Sequence, residues 1–286
     1  MRNLSVLACL LLSCHLMARP TRIVPLYPNG VPDSNGLNPE DEYVEESYKF
    51  FATSEPRIDL YLPEGVDAPV PALLICPGGG YLFTSTGNEG VAVASFFVPR
   101  GYAVAVLKYR LPNGHEYIPL NDALQAMRML RDSADVWHLQ RQHIGVMGFS
   151  AGGHLASSLL THFADSTTRP DYGVLIYPVI TMDPKRTHRG SFERLMGPKP
   201  TKQQIRRWSS EKNVTADTPP CLIVACQDDK TVQVCNSVMF FDALTAQHVP
   251  ASLLIVPTGG HGWGFSNPIP DRPLIEQTIL SFVETH

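Results

Sequence analysis

Four short stretches of this 286-residue chain carry residue types that together can split an acyl bond. The first is Gly148-Phe149-Ser150-Ala151-Gly152, a G-x-S-x-G pattern lying between an apolar run and a helical one. A serine hydroxyl is a weak nucleophile until a base takes its proton. Glycine two residues before and two after the serine leaves room for a strained turn. That turn lifts Ser150 Oγ off the backbone and sets the amide of Ala151 beside the reacting carbonyl. A base is available at His261, inside Gly259-Gly260-His261-Gly262-Trp263-Gly264. An acid that orients the imidazole is available at Asp228-Asp229-Lys230-Thr231-Val232, where either aspartate can serve. Backbone N–H groups that receive a developing oxyanion are available at Pro77-Gly78-Gly79-Gly80-Tyr81. Taken singly, each stretch also reads as a turn or a helix cap; the weight lies in their co-occurrence.

Each stretch follows an apolar run short enough to be a buried strand. Residues 71–76, 143–149, 220–226 and 251–257 are such runs, with further strands expected at 57–62, 102–109 and 172–178. Helical periodicity marks 89–100, 119–134, the segment after Ser150, 236–247 and 271–285. Strands alternating with helices predict a largely parallel sheet covered on both faces, held in one domain over 19–286. The stretch from 183 to 213 reads as irregular and is the one candidate insertion, placed where a lid would sit. Its segment 184–208 is rich in Lys and Arg and poor in apolar periodicity, which suits a hydrated substrate better than a lipid surface.

Composition is that of a globular protein: 44% hydrophobic, 17% charged, formal charge −4. No basic run suggests a nucleic-acid surface. The start, "MRNLSVLACLLLSCHLMARP", pairs Arg2 with an apolar stretch too short for a stable membrane anchor and predicts a secretory signal over 1–18. Two processing sites compete. Ordinary cleavage would follow Ala18; Leu11-Leu12-Ser13-Cys14 resembles a lipoprotein box that would place a lipid anchor on Cys14. The product is expected in the periplasm, outside the cell or tethered to the envelope. The remaining cysteines, Cys76, Cys221, Cys226 and Cys235, have no metal-site or disulfide-framework spacing and are expected to be free thiols, most of them buried. No metal or cofactor is expected. His154 is expected to pack, His143 to lie on the far side of the sheet, and His115 and His188 to be loop residues able to line a pocket.

The chain resembles the bacterial α/β-hydrolases that include acetyl xylan esterases and feruloyl-esterase-like carbohydrate esterases. The likeness rests on "PLYPNGVPDSNG" (25–36), "PGGGY" (77–81), "GFSAGGHLA" (148–156), "WSSEKNVTADTPP" (208–220), "DDKTVQVCNS" (228–237) and "GGHGWG" (259–264). Gln233 stands where the family carries proline. The resemblance implies an α/β-hydrolase fold, with Ser150 as nucleophile, His261 as base and Asp229 as acid. It implies the amides of Gly78, Gly79 and Ala151 as the oxyanion hole. The function then expected is hydrolysis of acetyl, or secondarily feruloyl, esters on plant-type polysaccharides or oligosaccharides through an acyl-enzyme. Tyr81 and Trp263 flank the machinery in sequence, where each reads either as a packing aromatic or as a sugar contact. Two other readings are a serine peptidase of the prolyl-oligopeptidase type and a non-catalytic glycan-binding relative.

Overall fold

The computed structural model describes residues 19–286. The expected signal segment, with Cys14, lies outside the described residues. Eleven strands follow in chain order: β1 (Arg22–Pro25), β2 (Tyr43–Glu45), β3 (Lys49–Phe51), β4 (Arg57–Tyr61), β5 (Val70–Cys76), β6 (Phe83–Ser85), β7 (Ala103–Lys108), β8 (Leu139–Phe149), β9 (Gly173–Ile176), β10 (Cys221–Cys226) and β11 (Ala251–Val256). The helices are α1 (Ala92–Phe97), α2 (Ile118–Asp132), α3 (Ala134–Trp137), α4 (Ser150–His162), α5 (Arg189–Met196), α6 (Lys202–Arg207), α7 (Cys235–Ala246) and α8 (Arg272–Thr285).

Eight strands form one sheet in the order β1-β4-β7-β5-β8-β9-β10-β11. The β1/β4 and β4/β7 pairs are antiparallel, and the rest run parallel. The parallel strands read as unbroken apolar runs because both faces are covered. Successive side chains of β5 alternate: Leu74 faces α2, α4 and α7, whereas Leu73 and Ile75 face α1 and α8. The first layer is filled by Leu120, Met127, Leu155, Leu159, Phe240 and Leu244. The second is filled by Val93, Phe97, Ile275, Ile279 and Val283. A smaller antiparallel sheet has the order β2-β3-β6, and its strand β6 directly follows the glycine loop after β5.

The segment 25–36 wraps a buried ion pair. Arg110 Nη2 lies 2.6 Å from Asp122 Oδ1 with both side chains fully buried, and the Tyr27 ring lies beneath the guanidinium. Asn35 Nδ2 donates to the carbonyls of Thr53 and Leu111, closing this corner of the fold.

Residues 183–213 are more regular than expected. Two short helices, α5 and α6, lie there, the second started by a capping box between Thr201 and Gln204. Helices of six to eight residues are too short to show an apolar period, so local caps were the only legible signal.

Candidate active site

The loops after β5, β8, β9, β10 and β11 all leave the carboxyl edge of the parallel strands, where sites on such sheets gather. Ser150 is the first residue of α4 and has φ +52°, a left-handed conformation costly for a residue with a side chain. The surroundings hold it there. A methyl group on Gly148 would meet the Gly152 carbonyl oxygen at 2.3 Å and Ala156 Cβ at 2.6 Å. A methyl group on Gly152 would meet the carbonyl oxygens of Cys76 and Pro77 at 2.1 and 2.4 Å. Gly148 is therefore demanded by contact between the end of β8 and α4, and Gly152 by contact between α4 and the end of β5.

His261 Nε2 lies 2.8 Å from Ser150 Oγ, and His261 Nδ1 lies 2.6 Å from Asp229 Oδ2. With Nδ1 donating to the carboxylate, Nε2 presents its lone pair to the serine proton. Asp229 is buried, and its second oxygen accepts the N–H groups of Thr231 and Val232 at 2.8 and 2.9 Å. The carboxylate is thus fixed at both ends. Asp228 plays a different part. Its two oxygens accept the N–H groups of Gly260 and Gly259 at 2.8 and 3.3 Å. It braces the loop that carries His261, and it is Asp229, not Asp228, that contacts the imidazole.

The oxyanion assignment needs one correction. The N–H of Gly78 donates to Glu89 Oε2 at 2.6 Å and is not free to receive an oxyanion. Among the described residues, the N–H groups of Gly79 and Gly80 have no acceptor. That of Ala151 is one of the unpaired amides in the first turn of α4. The unpaired amides of the loop therefore lie one residue further along than expected.

The two expected sugar contacts are both buried. Tyr81 is 3% exposed; its hydroxyl lies 2.8 Å from His154 Nδ1 and its ring stands edge-on to Tyr109. Trp263 is 2% exposed and packs edge-on against Tyr177, with Arg272 over its ring. Trp263 is packed away from the loops' open side, whereas Tyr81 keeps a small exposed edge in the lining of a groove beside the glycine loop. The more open tyrosine of that groove is Tyr43 of β2, half-exposed and stacked flat on Phe51 at 4.8 Å. The groove has a volume of about 600 Å³ and is bordered also by Leu82, Asn113, Glu193 and Arg194. Arg194 Nη1 also donates to the Gly80 carbonyl at 3.3 Å, so the groove abuts the glycine loop. No short-range pattern marks Tyr43, because strands β2, β3 and β6 come together only in the fold.

His154 packs as expected. Its Nε2 donates to the Trp208 carbonyl at 2.7 Å, and burial drives its pKa down from 6.5 to about 4. His143 lies away from the site, with Nε2 3.1 Å from the Val283 carbonyl. His115 is exposed. His188 caps α5 through Ser191 and sits close to Gly80. Burial, and then the charge of His261, hold its pKa below the usual histidine value. The described cysteines are free, and Cys76, Cys221 and Cys226 are buried.

Two more residues of the site have no signal in the sequence pattern. Glu89, in a single wide helical turn at Gly87–Val91, is 4% exposed with its carboxylate beneath the glycine loop. Tyr177, just after β9, has φ +37° and lies 4.6 Å from His261, ring centre to ring centre. Glu89 reads in sequence as an ordinary acid at a helix start, so nothing local distinguishes it.

A family model described as BD-FAE matches residues 58–169. An acetylxylan esterase of Xylanibacter ruminicola is 37% identical over 209 residues, 72% of this chain and 43% of that protein. An endo-1,4-beta-xylanase B of Butyrivibrio fibrisolvens is 35% identical over 245 residues, 80% of this chain and 37% of that protein. The chain spans about two fifths of the length of these curated relatives. The crystal structure of an acetyl ester-xyloside bifunctional hydrolase from Caldicellulosiruptor lactoaceticus superposes with a TM-score of 0.78 at 32% identity, covering 94% of this chain and 98% of that one.

Proposed function

This chain belongs to the acetylxylan-esterase-like family of α/β-hydrolases, whose members are serine carboxylic-ester hydrolases, and from that premise we propose that it removes acetyl groups from a polysaccharide or oligosaccharide through a covalent acyl-enzyme. The observation that carries the reading is the unbroken hydrogen-bonded relay Asp229–His261–Ser150. A purely glycan-binding relative would have no use for it.

In this mechanism His261 Nε2 takes the Ser150 proton as Oγ attacks the ester carbonyl. The N–H groups of Gly79, Gly80 and Ala151 receive the oxyanion. His261 returns the proton to the departing sugar oxygen, leaving the acetyl group on Ser150. Water then attacks the acyl carbon, giving its proton to His261, and acetate leaves as Oγ recovers its proton. Asp229 holds the imidazole tautomer and stabilises its charged form throughout. Losing one oxyanion donor in such a site typically costs ~10²–10³-fold in rate.

The sugar is assigned to the groove beside Gly80. There the exposed Tyr43 face offers a stacking platform, and Asn113, Glu193 and Arg194 offer polar partners for hydroxyls. Leu37, Phe51, Leu82 and Leu111 add an apolar floor that can pack on the C–H face of a ring, with the polar partners gathered at Asn113, Glu193 and Arg194. Export, with or without a lipid on Cys14, is part of the proposal and rests on the N-terminal sequence alone.

Acetate release from acetylated xylan, acetylated mannan and a chain-length series of p-nitrophenyl esters tests the reading. The acetyl ester should give the highest kcat/KM in the series, and an acetylated polysaccharide should release acetate. A maximum at octanoyl or longer chains, with no acetate from either polymer, would replace it with a lipid esterase.

A further inference from the structure

Asn88 and Glu89 occupy one helical turn, and between them they grip three of the loops that build the site. Glu89 Oε2 accepts the Gly78 N–H at 2.6 Å. Glu89 Oε1 accepts the Tyr177 hydroxyl at 2.8 Å, and the Tyr177 oxygen in turn accepts the Gly264 N–H at 2.9 Å. Asn88 Nδ2 donates to the Gly262 carbonyl at 3.0 Å. The glycine loop, the β9 loop and the histidine loop are thereby joined through one carboxylate, one phenol and one amide. The Glu89 oxygen also closes the space at Gly78, where an added methyl group would meet it at 2.9 Å and Ser150 Cβ at the same distance.

We propose that Glu89 is a positioning residue of this hydrolytic site: a buried carboxylate that locks the oxyanion loop to the histidine loop and turns a second negative charge toward His261. The proposal rests on the serine-hydrolase reading above.

The hydrogen-bond pattern says which form Glu89 takes. Both oxygens receive protons, one from Gly78 N–H and one from Tyr177 O–H. The phenol oxygen already accepts from Gly264, so its single proton has the carboxylate as its partner. The ionised acid satisfies every group, whereas a protonated Oε1 would leave the Tyr177 hydroxyl hydrogen without its acceptor. Burial opposes ionisation and holds the Glu89 pKa above the usual glutamate value, while the two donors and the nearby His261 act the other way. The charged or titratable groups facing Glu89 are Tyr177, His261 and Tyr109. Those facing His261 are Asp229, Tyr177, Glu89 and His188. His261 thus has a carboxylate in direct contact and another one phenol away, both favouring the imidazolium that forms as Ser150 attacks.

Holding Gly78 by its N–H also orients the next peptide units of the loop, which carry the free amides of Gly79 and Gly80. Removing the carboxylate should act on the rate and not on ground-state binding, because those amides meet a full charge only in the transition state.

The test compares Glu89→Gln, Glu89→Asp, Tyr177→Phe and Ser150→Ala in the full chain, measuring kcat, KM and the pH profile of kcat/KM for p-nitrophenyl acetate, with thermal melts as the folding check. Glu89→Gln should lose roughly 10- to 100-fold in kcat with KM little changed. Its acid limb should move to lower pH, because loss of a negative charge makes the imidazolium harder to form. Tyr177→Phe loses the brace and one of the two donors that favour the ionised carboxylate, so its kcat should fall as well. A merely structural residue would leave the limb where it is. Wild-type kcat, or a limb that does not move, in a folded Glu89→Gln would overturn the proposal. Should Glu89→Gln not fold, Glu89→Asp decides. It keeps the charge and loses reach, so a lowered kcat with unchanged KM and an unchanged melting temperature is expected; unchanged kcat, or a loss that comes with a lower melting temperature, overturns the proposal. Turnover surviving in Ser150→Ala would instead sink the reading of the site itself, whatever Glu89 does.

Discussion

Gly152→Ala puts the geometry of the serine turn to a quantitative test. The added methyl group would lie 2.1 Å from the Cys76 carbonyl oxygen and 2.4 Å from that of Pro77. Close carbon–oxygen contacts in proteins settle near ~3.3 Å, so one side must retreat by roughly 1 Å. Neither side is free to do so. The Pro77 oxygen is held by the Tyr109 hydroxyl at 2.8 Å, and Cys76 pairs with Gly148 across the sheet. If α4 gives way, Ser150 moves off the His261 imidazole; if β5 gives way, Gly79 and Gly80 move off the oxyanion. Either shift should cost about 10²-fold in kcat, since a displacement of ~1 Å at reacting groups has that effect. The overpacking should cost about 1–3 kcal/mol of stability. Gly101→Ala is the control: its φ of +86° strains the backbone, but its methyl group meets nothing within 4 Å and it stands away from the site. It should lose about 1 kcal/mol and keep its kcat. The assay is p-nitrophenyl acetate turnover per active site, counted with a fluorophosphonate, beside thermal melts of both variants. A folded Gly152→Ala enzyme with near wild-type kcat would refute the claim that contact between α4 and β5 sets the serine.

Three further outcomes are expected. Asp229→Asn should lower kcat by roughly 10⁴-fold by leaving the imidazole in the wrong tautomer, and Asp228→Asn should lose far less because it only steadies Gly259 and Gly260; the reverse order in kcat would exchange their roles. His154, neutral and buried, has a folded-state pKa of about 4 against 6.5 ordinarily, so the unfolded chain binds its proton first as pH falls; about 3 kcal/mol of stability, full above pH 6.5, should drain away toward pH 4, and urea melts of His154→Gln should show a shallower acid slope than wild type. Tyr43→Ala should raise KM for acetylated xylo-oligosaccharides while leaving p-nitrophenyl acetate turnover unchanged, and an equal effect on both substrates would remove the groove beside Gly80 from the sugar path.

What the chain disclosed of itself depended on the range of the interaction. Ser150, Asp229 and His261 were legible because each lies just after its own strand in a short stretch with its own pattern, and the parallel order of β8, β10 and β11 followed from apolar runs alternating with helices. Gly78 misled because a glycine loop shows where amides cluster but not which amide already has a partner; the acceptor, Glu89, is eleven residues on. Tyr81 and Trp263 misled in the same way. Proximity in sequence to the machinery suggested exposure, whereas packing against Tyr109, His154 and Tyr177 buries both rings. Tyr43 was illegible because β2 is three residues long with every residue exposed, and its platform exists only once Phe51 lies beneath it. The short strands β1, β3 and β6 escaped notice for the same reason: three or four residues show no alternation that a loop would not.

The most direct test of the central claim is the intact mass of the protein quenched in acid during turnover of p-nitrophenyl acetate, followed by peptide mapping. One added acetyl group on Ser150, formed with a burst of p-nitrophenol and absent from Ser150→Ala, is the predicted result. Full turnover with no acyl group on Ser150, or an equal burst from Ser150→Ala, would contradict the account.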